Sequence, residues 1–84
     1  MSTLTDLPNI GPRIAQQLAA IGVTTPAELH ALGSKTAFQK IKAQDNTACI
    51  QQLYSLQGAI ENQKYTQLAD QTKTDLTLYF RSLS

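Results

Sequence analysis

Residues 7–15 read Leu-Pro-Asn-Ile-Gly-Pro-Arg-Ile-Ala, and a chain written this way must turn sharply and then begin a helix. Asn9 and Gly11 bracket one apolar residue, Ile10. Both bracketing types tolerate positive φ at low cost, so a tight hairpin is expected at 8–12. Pro12 suits the first helical position, where its missing N–H costs nothing. Arg13 falls in that first turn. Together with the unbonded amides around Gly11 and the helix start, it makes a seat for one phosphate.

The remainder carries only helical periodicity. A short helix or turn is expected near residues 3–7, then a helix over about 12–21 with Ile14, Leu18 and Ile21 on one face. Gly22 is a left-handed terminator, and Val23 beyond it packs back on the helix end. Thr25, Pro26 and Glu28 spell a cap, a first helical residue and a capping box for a helix ending at Gly33. Leu29 and Leu32 point that helix inward. Ser34 is then expected to cap a helix over about 35–43 with Ala37, Phe38 and Ile41 inside.

Asp45, Asn46 and Thr47 form a polar break. Cys49, Leu53, Leu56 and Ile60 recur at i, i+4, i+7, i+11, which predicts a helix over about 47–61 with Cys49 as a small buried hydrophobe. Gly58 weakens that helix relative to alanine, and close approach of a neighbouring helix would explain it. Asn62 can end the helix in the left-handed conformation. A last helix over about 64–82 should bury Tyr65, Leu68, Ala69, Leu76, Tyr79 or Phe80, and Leu83. The fold class expected is therefore all-α, a bundle of about five helices forming one domain over residues 3–83.

Eighty-four residues leave room for one small core only. Hydrophobic residues make up 42%, which argues against disorder. No apolar run approaches the roughly 20 residues that span a bilayer, so no membrane role is expected. No secretion signal is apparent at the amino terminus, and a single cysteine fits a reducing cytoplasm. The net charge of +1 is too small to draw the whole molecule onto nucleic acid. Residues 1–42 do carry Arg13, Lys35, Lys40 and Lys42 against only Asp6 and Glu28, so a nucleic-acid face would belong to this half.

Chemistry is poorly provided for. His30 is the only histidine and has no carboxylate three or four residues away, so a solvent-facing position is expected. One His and one Cys give no zinc spacing, and the carboxylates are scattered singly. No phosphate-binding loop or dinucleotide fingerprint is present. Neither catalysis nor a cofactor is expected.

Leu-Pro-Asn-Ile-Gly followed by a cation and Ala15 resembles the helix-hairpin-helix element of DNA-binding and repair proteins, with Asn9 in place of the first glycine. The wider series, LPNIG, IGVTTPAELHALG, LYSLQGAI, Tyr65 and a terminal amphipathic helix, is similar to the C-terminal domain of TfoX/Sxy-type competence regulators. Asn62 stands where that family often has glycine, and Tyr65 where it often has tryptophan. The resemblance implies a part in controlling competence genes for DNA uptake, alongside a transcription factor such as the cyclic-AMP receptor protein.

Two readings follow. In the first, Asn9, Ile10, Gly11 and Arg13 hold backbone phosphate of DNA without reading sequence, and Lys35, Lys40 and Lys42 extend the track. In the second, the hairpin only reverses the chain. The domain then binds another protein or a second copy of itself through its apolar faces, with Leu78 and one of Tyr79 and Phe80 outward.

Overall fold

A computed structural model describes residues 4–83. Proline and threonine chemistry places the first helices as expected. Pro12 opens α1 (Pro12–Ala20), and α2 (Pro26–Leu32) starts behind the Thr25 cap. At Thr25 the Glu28 N–H donates to the threonine hydroxyl at 3.2 Å, while the Glu28 carboxylate accepts from the Thr24 N–H at 3.1 Å. Hydrogen bonds from Thr24, then Thr25, hold the Glu28 carboxyl below its ordinary value. Gly22, at φ +90, ends α1 as expected. Its N–H bonds the Ala19 carbonyl, and the Val23 N–H reaches back to Leu18.

Helix α3 (Ser34–Gln44) follows α2 across a single residue, Gly33 at φ +87. Ser34 is not the cap that its type suggests. It is the first helical residue, buried, and its hydroxyl donates to Gln57 Oε1 at 2.5 Å. A bond across the bundle has outcompeted the local one.

Helix α4 (Ile50–Ile60) starts three residues later than its periodicity predicts. The Asp45 carboxylate accepts the Thr47 N–H at 3.0 Å, and this bends the backbone through 45–48 before the helix can form. Cys49 consequently becomes the residue before the helix and is exposed, not buried; Ala48 takes the inward place. Asn62, at φ 58, closes α4 with the Gln63 N–H bonded to the Gly58 carbonyl at 2.9 Å.

The expected last helix is broken in two. A 3-10 turn, Tyr65–Gln67, is followed by extended residues Leu68 and Ala69, and only then by α5 (Asp70–Ser82). The break lets Leu68 drop into the core, while Ala69, expected inside, stays exposed. A second 3-10 turn, Leu4–Asp6, precedes the hairpin. No strand occurs among the described residues.

The all-α bundle centres on α3 and α4, which pack on each other. Helix α1 rests on α3, α2 on both central helices, and α5 on α4. Phe38, Leu18, Leu29, Ile41, Leu53, Leu56 and Leu76 are the fully buried large side chains. Tyr79 and Phe80 are both half-buried, and Leu78 is the outward residue of α5 at 61% exposure.

Candidate nucleic-acid interface

The hairpin forms, but its positive φ sits on Asn9 (φ 69), whereas Gly11 is extended at φ −92. Its side chains part company. Ile10 is buried, with its N–H on the Leu7 carbonyl at 3.4 Å. The Asn9 carboxamide turns into the bundle. Its Nδ2 donates to the Gln63 carbonyl at 3.0 Å and the Ser55 carbonyl at 3.4 Å, and its Oδ1 accepts the Tyr65 N–H at 3.1 Å. All three partners lie 46 to 56 residues away in sequence.

Gly58 makes this contact possible. A Cβ there would stand 2.5 Å from Asn9 Nδ2 and 2.7 Å from the Gln63 carbonyl oxygen. The close neighbour is thus a hairpin side chain and the 63–65 backbone, not the helix that the sequence suggests. Two oddities in the sequence, an Asn at a hairpin position and a Gly inside a helix, are the halves of one contact. Their co-occurrence was the signal available.

What remains open at the hairpin is Gly11 and Arg13. Nothing lies within 4 Å of a Cβ built on Gly11. Ala15 makes the first helical bond, to the Gly11 carbonyl at 3.0 Å, so the amides of Gly11, Arg13 and Ile14 have no carbonyl of the turn to bond. The Arg13 side chain is 81% exposed, with its guanidinium 4.0 Å from Asp45 Oδ2.

That carboxylate organises this end of the bundle. Asp45 accepts from Thr47 and from Gln17 Nε2 at 3.1 Å, and Gln52 in turn bonds Gln17. Hydrogen bonds from the Thr47 hydroxyl and N–H, then the Arg13 charge and Gln17, hold the Asp45 carboxyl below its ordinary value. A depressed folded value means stability that is full above the unfolded value and lost as pH falls through the folded one. Thermal midpoints measured between about pH 5 and pH 3 should therefore fall less in Asp45→Asn than in the unsubstituted protein. Parallel falls would show that Asp45 contributes no acid sensitivity.

The other three cations do not gather around Arg13. Lys35 is in the first turn of α3 and lies about 15 Å along that helix from its Asp45 end. Its Nζ is 2.6 Å from the Asp75 carboxylate and 5.6 Å from the Tyr79 ring centre. Lys42, 5.5 Å from the Phe80 ring centre, shares this α5-facing edge. Lys40 projects from the other side of α3, beside Ile21, Gly22 and Glu28. Two of the four cations therefore face carboxylates, and the four are divided between the hairpin end, the α5-facing edge and the opposite side of α3.

His30 is exposed as expected. Among the described residues no three of His, Cys, Asp and Glu stand close enough to hold a metal ion. A hollow of about 620 Å³ lies between Gly33–Thr36 and the first turns of α5. Its charged lining residues, Lys35 and Asp75, pair with each other. No helix among the described residues is long and apolar enough to cross a membrane.

A family model described as the TfoX C-terminal domain matches residues 1–79. The chain belongs to that family. Two crystal structures resemble this TfoX C-terminal domain along almost its whole length. One, an uncharacterized protein from Listeria monocytogenes in a triclinic form, is 38% identical with a TM-score of 0.96, covering 98% of this chain and 93% of that one. The other, a protein of unknown function from the same organism in a tetragonal form, is 38% identical with a TM-score of 0.94 and coverages of 96% and 99%. No curated protein matches. Family membership points to a competence-related regulatory domain.

Proposed function

We propose that this TfoX C-terminal domain is a non-catalytic, cytoplasmic regulatory module that acts by docking to protein, a transcriptional regulator or a second copy, with the hairpin built into its scaffold. The observation that carries this reading is the inward turn of Asn9. The position that would have to admit a phosphate instead spends its side chain on Ser55, Gln63 and Tyr65. The dispersed cations and the net charge of +1 agree with it, since phosphate binding needs clustered positive charge. The charged groups that line the 620 Å³ hollow pair with each other, which supports a role without catalysis.

A second reading keeps one phosphate seat at Gly11, Arg13 and Ile14, favoured by the open space at Gly11 and the 81% exposure of Arg13. Fluorescent duplex and single-stranded DNA, titrated at low salt with the protein and with Arg13→Glu, separate the two. Docking to protein predicts no DNA binding up to high micromolar protein. Binding that weakens with salt, with a slope of about −0.9 per phosphate, and is lost in Arg13→Glu would overturn it in favour of the DNA reading. Light scattering on the same samples reports whether the partner is a second copy.

A further inference from the structure

The carboxamide of Asn9 is the one polar side chain of the hairpin that ties it to the other end of the chain. It spans α4 through the Ser55 carbonyl and the α4–α5 corner through the Gln63 carbonyl and the Tyr65 N–H. The Tyr65 amide has the Asn9 side chain, not a backbone carbonyl, as its acceptor. The other backbone bonds of the corner are short-range, among them Asn62 to Ala59, Gln63 to Gly58, Gln67 to Lys64 and Leu68 to Tyr65, the last at 3.4 Å, and the exposed Lys73 ammonium donates to the Thr66 carbonyl at 3.5 Å. Such a stretch has little of its own to hold it. Helix α5, in contrast, is fastened independently by Leu76 in the core, by the Lys35–Asp75 pair and by Tyr79 Oη donating to the Lys35 carbonyl at 3.2 Å.

We infer that Asn9 is a latch, and that residues 61–69 form a unit that opens separately from the bundle when the latch is released. Opening the corner lifts Leu68, which is 3% exposed, out of the core and separates α4 from α5 at their joined ends. Anything that moves residues 4–11 is thereby coupled to this corner, through one side chain and with no change needed in α2 or α3. Of the side chains in 61–69 only Leu68 is buried, with Tyr65 partly buried against the core, so little apolar burial resists opening.

Asn9→Gly is the discriminating substitution. It keeps a residue at ease with φ near +69 and deletes only the carboxamide, so the turn is preserved while the latch is lost. Native-state amide exchange of the full chain, followed residue by residue, is the measurement. In Asn9→Gly the amides of Gln63, Tyr65, Gln67 and Leu68 should exchange at least about tenfold faster, with those of Gly33, Ala37 and Asp45 changing much less. An equal rise throughout, or no change at Tyr65, overturns the inference. Should the variant fail to fold, the unsubstituted protein decides the matter. At low denaturant the corner amides should exchange through an opening with a smaller denaturant slope than those of α3, and equal slopes overturn the inference.

Discussion

Replacing Phe38 with alanine should cost about 3–5 kcal/mol and lower the thermal midpoint by roughly 15 °C or more. Phe38 is wholly buried on α3, the helix against which α1, α2 and α4 all pack. Its ring centre lies 5.7 Å from that of Phe80 at a 51° tilt, and Lys42 covers the outer ring. Truncation removes the largest fully buried side chain and leaves a void bordered by several helices, so no single neighbour can close it. A domain of 84 residues holds roughly 4–12 kcal/mol in total, so Phe38→Ala should sit at or near the edge of folding. Leu78→Ala, at a position 61% exposed, is the control and should move stability by no more than about 0.5 kcal/mol. Urea denaturation of both variants tests the pair; similar midpoints would mean that the core is not centred on α3.

Gly58→Ala should destabilise by about 2–3 kcal/mol, although alanine is the better helix former by about 1 kcal/mol. The added methyl has nowhere to go. One obstacle, Asn9 Nδ2 at 2.5 Å, is a side chain that could swing away only by giving up its bonds to Ser55 and Gln63. The other, the Gln63 carbonyl at 2.7 Å, is main chain in the turn that ends α4 and cannot rotate clear. Gly58→Ala in an Asn9→Gly background resolves the two obstacles. The first disappears and the second remains, so the cost should shrink without vanishing, giving a coupling of about 1 kcal/mol or more. If Gly58→Ala instead raises stability, Gly58 is an ordinary helix glycine and the clasp is not load-sharing.

Asn9 stands where the helix-hairpin-helix element has a glycine. A glycine there leaves the turn without a side chain, so the backbone can meet a phosphate closely. An asparagine keeps the positive φ and adds a carboxamide, and in this fold that group faces inward to bind the chain's own backbone.

Local chemistry was enough to write down much of this protein from its residues. Gly22 and Asn62 end helices because they accept positive φ, and Thr25, Pro26 and Glu28 begin one because they satisfy or lack the amides of a first turn. The i, i+4, i+7 spacings of Leu18, Phe38, Ile41, Leu53 and Leu56 selected the inward faces, and with them an all-α bundle. The series from Leu7 onward was also enough to identify the family.

Tertiary structure alone decided the rest, wherever a polar group had a choice between a near partner and a far one. Ser34 left the cap for Gln57, and the Asn9 carboxamide turned inward to the Tyr65 amide and the Gln63 carbonyl. The fate of the cations was settled the same way, by which helices brought Asp45 to Arg13 and Asp75 to Lys35. Spacing along a chain encodes what a residue's neighbours within a turn or two can do. It carries no record of a carboxamide closing onto a glycine 49 positions away, because that contact exists only after the helices have packed.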